Sequence, residues 1–380
     1  MTGGRNIIWF CPGIEYDEPN TGGMHFNYIF LDALKRRFTD DRVEGVNLLP
    51  KYAKFSWIKE RVYLNFAYLK YLFEMDFHPG DLVVVDSGAN SQVLLAIWVT
   101  RLIWRRPVLM TIFHLGFPLT TRKGLKKWVQ AFCEKACIRL ATHIVTISQS
   151  TKTEVLTVLG ARRSSRVSIK IVHPGLNKPD PAILLARERK RSGTLRMITV
   201  GSCNDPRKGL DILLMALGGM AGENFHLSLV GGYNSDDPYH GYLQGLIERY
   251  DLTGKVEFLG RVSDERLSEL LQQKDLFVFP SLWEGYGIAL AEAMSYGLPI
   301  VSTDTGAIPE LVTHGVNGIL VPPRDPQALR QALQSFLAAP SLGILFSQNN
   351  LMAARKFKDW CEVGVELADH VETILHSRVS

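Results

Sequence analysis

The sequence predicts an α/β protein made of two doubly wound, Rossmann-like domains. Three observations carry this. Short apolar runs without polar alternation recur along the chain, as in strands buried on both faces of a parallel sheet. Helical patterns separate them, and strands alternating with helices define doubly wound architecture. The series of strands then stops near residues 173–192 and restarts. At 380 residues the chain is too long for one ordinary core, which also favours two domains.

In order, the strand candidates of the first half are Ile7–Cys11, Leu82–Asp86, Val108–Phe113, His143–Ile147 and Ile169–Val172. Those of the second half are Arg196–Val200, His226–Val230, Val256–Leu259, Leu276–Phe279, Ile300–Ser302 and Gly318–Val321. Between the two series, "HPGLNKPDPAILLARERKRSG" is rich in proline and charge and holds no strand pattern. Ligands of open α/β sheets bind beyond the carboxyl ends of the strands. Several candidate strands run into glycines there: "PNTGGMHFN", "VGSCNDPRKG", "LVGGYN" and "FLGRV". Glycine lets backbone N–H groups approach a ligand closely.

Composition fits a water-soluble globular protein, 46% hydrophobic and 21% charged. No apolar run reaches the roughly 18 residues of a membrane span, and residues 1–14 lack the pattern of a signal peptide. A cytoplasmic location is expected, with association at the cytoplasmic face of a membrane as an option. The cysteines, Cys11, Cys133, Cys137, Cys203 and Cys361, form no CxxC pair and are expected to be reduced. The charge is asymmetric. Residues 1–180 hold 25 Lys and Arg against 15 Asp and Glu, and residues 181–380 hold 18 against 23. A basic first half points to an anionic partner.

The stretch "SLWEGYGIALAEAMSYGLPIVSTDTGAIPEL", residues 281–311, carries two glutamates, Glu284 and Glu292, eight residues apart. A helix is expected from about Gly287, ended by Gly297 and Pro299. Glu284 then lies in the loop before it, and Glu292 about a turn and a half inside. Five residues of helix span roughly 7–8 Å. The N–H groups of Gly285 to Ile288 lie between the carboxylates, where the helix macrodipole adds positive potential. Carboxylates outside and amides in the middle suit a hydroxylated group, a phosphate and a second hydroxylated group. A nucleotide-sugar has that order, and carboxylates accept strong hydrogen bonds from hydroxyls.

This segment resembles the glutamate–seven–glutamate signature of the GT-B-fold retaining glycosyltransferases of family four (group 1). The similarity extends to "VGSCNDPRKGLDILLMAL", "FLGRVSDERLSELLQQKDLFVFP" and "TGGMHFNYIFLDALKRRF", and so covers essentially the whole chain. The resemblance implies a GT-B fold, two facing Rossmann-like domains with a cleft between them. It implies an acceptor-binding domain over 1–178, a nucleotide-sugar domain over 179–358, and a helix over 359–380 crossing back to the first. By position, Glu292 matches the glutamate on the ribose hydroxyls and Glu284 the one on the donor sugar. Gly285, Tyr286, Gly287 and Ile288 match the loop holding sugar and diphosphate. Lys208 matches the lysine that neutralises the diphosphate. Gly22 and Gly23 match the first domain's glycine loop on the phosphates, and His114 the histidine near the reacting centre. Arg261 and Val262 match the lining of the base pocket.

Two positions depart from the family's pattern. Ser202 stands where many members carry an arginine, with Arg207 as the expected second cation. Leu115 stands where an aspartate often follows the histidine. The implied mechanism is retaining transfer with no enzymic nucleophile, in which positioning and charge stabilisation do the catalysis. No metal and no cofactor is expected beyond the nucleotide-sugar. UDP-glucose is the favoured donor and GDP-mannose the second. The acceptor is expected to be a lipid or a cell-envelope glycan. Alternatives from other classes are a nucleotide-sugar 2-epimerase on the same fold and a non-catalytic carbohydrate-binding protein. "SDD" at 235–237 reads as a solvated turn before a metal site. Glu310 reads as a structural carboxylate, and His25, His143 and His173 as structural.

Two basic, aromatic stretches remain, residues 51–73 and 122–141. In the second, Leu125, Trp128, Val129, Phe132, Ala136 and Leu140 follow helical spacing. That stripe fits either a core face with solvated lysines around it or a face lying in an anionic membrane. Nucleic-acid binding is not expected, because no recognised module accompanies the basic residues.

Overall fold

The computed structural model describes residues 5–11, 22–47, 57–75, 81–113, 115, 124–180 and 193–377. The chain forms two compact units. One comprises Met1–Gly175 with Lys358–Ser380, the other Leu176–Phe357.

The first unit runs β1 (Asn6–Phe10), α1 (Gly22–Arg37), β2 (Arg42–Val46), α2 (Trp57–Glu74), β3 (Leu82–Asp86), α3 (Asn90–Trp98), β4 (Val108–Ile112), α4 (Leu125–Leu140), β5 (His143–Thr146), α5 (Gln149–Leu159), α6 (Ala161–Ser164) and β6 (Ser168–Ile171). All strand pairs are parallel, in the order β2-β1-β3-β4-β5-β6. Every residue of β1, β3 and β4 is buried, which is why these strands read as unbroken apolar runs. The strand β2 escapes the sequence reading. It pairs on one side only and is partly exposed, and its Arg-Val-Glu-Gly-Val gives no apolar run.

The second unit runs β7 (Leu195–Val200), α7 (Leu210–Gly218), β8 (Phe225–Val230), α8 (Pro238–Arg249), β9 (Val256–Gly260), α9 (Asp264–Gln273), β10 (Leu276–Phe279), α10 (Ile288–Ser295), β11 (Ile300–Thr303), α11 (Ile308–Leu311), β12 (Gly318–Val321), α12 (Pro326–Ala338) and α13 (Pro340–Ala354). Its sheet is also parallel, in the order β12-β11-β10-β7-β8-β9. The chain builds outward from β7 through β8 to β9. It then returns to lay β10 on the other side of β7. This reversal is a topological switch point, where the loops leaving two adjacent strands diverge and open a crevice.

The last helix, α14 (Trp360–His376), belongs to the first unit. Asp359 and Glu362 close a capping box at its start. Val363, Leu367, Val371 and Ile374 are buried at helical spacing, each contributing about 1.5–3 kcal/mol. Gly364 lets α14 approach α1 closely, since a Cβ there would lie 3.1 Å from that of Ala33. Arg37 on α1 pairs with Asp369 and Glu372.

Candidate functional site

The loops beyond β7 and β10 meet at the switch point of the second unit. After β7, Asp205 caps a short 3-10 turn by accepting the N–H of Arg207 at 3.0 Å. The turn delivers Lys208, whose stem crosses Gly201. A Cβ on Gly201 would lie 3.2 Å from Lys208 Cε. The ammonium stands 5.1 Å from the ring centre of Phe279, at the end of β10, a cation–π distance. Lys208 Nζ donates to Glu284 Oε1 at 2.5 Å. Ser281 Oγ donates to that same oxygen at 2.9 Å.

The backbone around Glu284 is fixed from three sides. The Leu282 N–H donates to the Arg207 carbonyl at 2.7 Å, tying the two loops together. Thr303 and Thr305 donate side-chain hydroxyls to the carbonyls of Ser281 and Leu282. The Ala307 N–H donates to the Glu284 carbonyl at 2.9 Å. Gly285, Tyr286 and Gly287 are buried, and Gly287 opens α10 with φ +95° and no side-chain cap. The first N–H groups of α10, with Ile288 at its first position, therefore keep their donors without an intrahelical partner. Burial, with Glu310 nearby, pushes the Tyr286 phenol up.

Glu292 lies five residues into α10 and is half-buried. Burial, and then the charge of Asp264, raises its carboxyl to about 7. Opposing this, the Asn177 backbone N–H donates to it, and Asn177 Nδ2 donates to Asp264 Oδ2 at 3.1 Å. Ser202 and Arg261 are exposed beyond β7 and β9, with Val262 half-buried. Beside them Tyr233 is exposed. Its ring stacks on His240 at 4.8 Å and meets the edge of Phe258.

The Arg207 guanidinium is held by Asp205 through Nε at 3.2 Å and Nη2 at 2.6 Å. In the turn at 235–237, Asp237 accepts the N–H of Tyr239 as the cap of α8. Glu310 is exposed on the short helix α11. Sequence reasoning missed Ser281, Asn177, Asp264 and Tyr233. Ser281 was legible as the residue after "FP", but a serine there gives no signal of its own. The others face the site only through the fold.

In the first unit, Gly22 and Gly23 are the first two residues of α1 rather than a loop. His114 lies outside the described residues, as do residues 51–56 and 122–123 of the basic stretches. Leu115 is buried. His25 meets the edge of Trp360, and His173 Nδ1 lies 3.0 Å from the Ile147 carbonyl. The first unit's sheet has its own switch point, between β1 and β3. There Asp86 accepts from Gly88 N at 2.7 Å and from Asn27 Nδ2 at 3.2 Å, tying α1 to the turn after β3. Burial raises its carboxyl to about 6. The helical stripe of α4 does not form core at its start. Leu125, Trp128 and Phe132 are exposed, while Cys133, Glu134, Cys137 and Ile138 are buried.

The sequence model of the family described as glycosyl transferases group 1 matches residues 184–350. A phosphatidyl-myo-inositol mannosyltransferase of Mycobacterium leprae is 30% identical over 184 residues, 48% of this chain and 47% of that protein. The chain spans about half the length of this and another of the curated relatives it matches. Among solved structures, sucrose-phosphate synthase from Thermosynechococcus elongatus superposes with a TM-score of 0.77 at 19% identity, covering 98% of this chain and 100% of that one. HepE of Anabaena, solved in complex with UDP and glucose, gives 0.69 at 19% identity over 97% and 99%. These structural likenesses show a shared fold, two parallel six-stranded sheets with flanking helices.

Proposed function

We propose that this chain, whose second unit matches the group 1 glycosyltransferase family model and which shares the GT-B fold, is a group 1 glycosyltransferase that transfers a hexose from a nucleotide-sugar to a hydroxyl of a lipid or cell-envelope glycan, with retention at the anomeric carbon. The observation that carries this is the meeting of Lys208 and Glu284 at the switch point, with Glu292 one helix segment further on. In this reading Lys208 is the cation for the diphosphate, Glu284 the carboxylate for the sugar hydroxyls and Glu292 the carboxylate for the ribose hydroxyls. The buried glycine turn and the open first turn of α10 supply N–H donors between them. Tyr233 offers a flat face for the base beside Arg261 and Val262.

In this reading the donor's leaving phosphate departs toward Lys208, which lowers the cost of the charge it gains. Glu284 holds the sugar hydroxyls while positive charge grows on the ring. The acceptor hydroxyl attacks the face the phosphate leaves, and the phosphate takes its proton. The protein contributes position and fixed charge, and no metal is assigned a part. UDP-glucose is the first donor choice, supported by the likeness to HepE, which was solved with UDP and glucose. GDP-mannose is second, supported by the mannosyltransferase relative.

A lipid-borne acceptor is supported by the outer helices of the first unit. Phe66 on α2, Trp98 on α3 and Trp128 with Phe132 on α4 are all exposed, and α3 packs against both α2 and α4. On α4, Trp128, Phe132, Lys135 and Arg139 recur at i, i+4, i+7 and i+11, so rings lead into cations along one face. Arg163 is lowered by burial and then by Arg101, Arg166 and Arg139, so four guanidinium groups gather there. Rings beside cations suit an anionic bilayer surface. No helix among the described residues is long and apolar enough to cross a membrane.

The test is turnover of UDP-glucose and GDP-mannose, by transfer or by slow hydrolysis to the free sugar. Glu284→Ala is expected to lower turnover at least 100-fold without weakening the binding of UDP or GDP. Full turnover in that variant would remove Glu284 from the site.

A further inference from the structure

We infer that the Lys208–Glu284 pair is an internal competitor, which makes the site favour an intact nucleotide-sugar over a bare nucleoside diphosphate; the inference rests on the donor reading above. Without donor, the two charges meant for the diphosphate and for the sugar satisfy each other. Lys208 Nζ stands 2.5 Å from Glu284 Oε1, and the two side chains are only 21% and 13% exposed. Ser281, itself fully buried, holds that same oxygen at 2.9 Å. Oε2 accepts no hydrogen bond from the described residues, so one oxygen remains open to a ligand.

A ligand that draws Lys208 away must leave a half-buried carboxylate with Ser281 alone. Removing one partner of such a pair is costly, because the remaining charge stays poorly solvated. A bare diphosphate imposes that cost and adds its own negative charge nearby. A nucleotide-sugar imposes less, since its sugar hydroxyls donate to Glu284 as Lys208 turns to the phosphates. The same asymmetry acts after the reaction. Once the sugar has gone to the acceptor, Glu284 has lost its new donors. The ion pair re-forms at the expense of the diphosphate, which speeds product release.

Ser281 has a defined part. It is a positioning residue that keeps the carboxylate in place during the exchange. Without it, Glu284 depends on Lys208 alone, and drawing the lysine away costs more.

The backbone of Glu284 is fixed by Ala307 and packed against Gly306, so Glu284→Gln is expected to fold. The experiment is calorimetric titration of wild type, Glu284→Gln and Ser281→Ala with UDP, GDP, UDP-glucose and GDP-mannose. In Glu284→Gln the diphosphate that wild type prefers should bind about tenfold tighter, while its sugar conjugate binds no tighter than before. In Ser281→Ala the same diphosphate should bind several-fold more weakly. Diphosphate binding unchanged or weakened by Glu284→Gln, with wild type binding normally, overturns the competitor role and leaves the donor reading standing. Should Glu284→Gln not fold, unchanged or tighter diphosphate binding by Ser281→Ala overturns it equally. Failure of every nucleotide to bind wild type at millimolar concentration overturns the donor reading and this inference together.

Discussion

A methyl group placed on Gly306 would lie 2.2 Å from the carbonyl oxygen of Glu284. Gly306 also holds φ at +56°, a region that L side chains enter at a cost. The loop after β11 therefore sets how far the Glu284 backbone reaches into the site, at Gly306 through backbone contact and at Thr305 through its hydroxyl on the Leu282 carbonyl.

Gly306→Ala should consequently move Glu284 rather than only loosen the loop. The strain is expected to cost about 1–3 kcal/mol. Thermal unfolding should show a lower Tm, and the KM for the donor should rise in the same variant. An unchanged Tm and KM would mean that the loop gives way without disturbing the glutamate.

Donor binding should depend on pH through Glu292. Its carboxyl titrates at about 7 in the folded protein, raised mainly by burial. Between the ordinary glutamate value and about 7, the folded protein holds a proton that the unfolded chain has released. The share of stability linked to this group is thus complete below the unfolded pKa and is lost as pH rises through the folded one. Hydroxyls donate best to the ionised form, so the KM for the donor should climb as pH falls below about 7. Glu292→Gln should flatten that climb. A profile unchanged by the substitution would assign the pH dependence elsewhere.

Lys208 should be irreplaceable by its neighbour. Arg207 is held by Asp205, so Lys208→Ala leaves no free cation on that turn. Turnover is expected to drop about 100-fold or more, the scale of losing one preorganised group at a developing charge. Asp205→Asn in the Lys208→Ala background releases Arg207 and should restore part of the loss. No recovery would show that Arg207 cannot reach the phosphates.

The exposed rings of α4 should matter for membranes and not for folding. Trp128→Ser with Phe132→Ser removes apolar groups that are 67% and 55% exposed. Tm should stay within about one degree of wild type. Co-sedimentation with vesicles containing anionic lipid should fall several-fold, while neutral vesicles bind neither protein. Equal sedimentation by both proteins would remove this face from the lipid reading.

Much of the fold was legible because buried parallel strands leave a simple trace. The runs at Leu82–Val85 and Leu276–Phe279 are apolar on both faces, the first bounded by Asp81 and Asp86 and the second by Asp275 and Pro280. The strand Arg42–Val46 was not legible, since an edge strand needs only part of that burial. The spacing of Glu284 and Glu292 was visible because one loop and one short helix hold both. The pairing of Lys208 with Glu284 was not, since it joins residues 76 positions apart through the strand order alone. The outward turn of Trp128 was hidden for a related reason. Helical periodicity marks a stripe, but the face that a helix buries depends on its neighbours. Here Cys133, Cys137 and Ile138 form that face, and the larger rings are left outside.

The most direct test of the central claim is thermal stabilisation of the purified protein and of Lys208→Ala by UDP-glucose, GDP-mannose and their diphosphates. At 100 times its dissociation constant a ligand adds about 2.7 kcal/mol, a readable rise in Tm. The account predicts that one nucleotide-sugar stabilises wild type and that Lys208→Ala loses the effect. No rise from any of them, or an equal rise in Lys208→Ala, would contradict it.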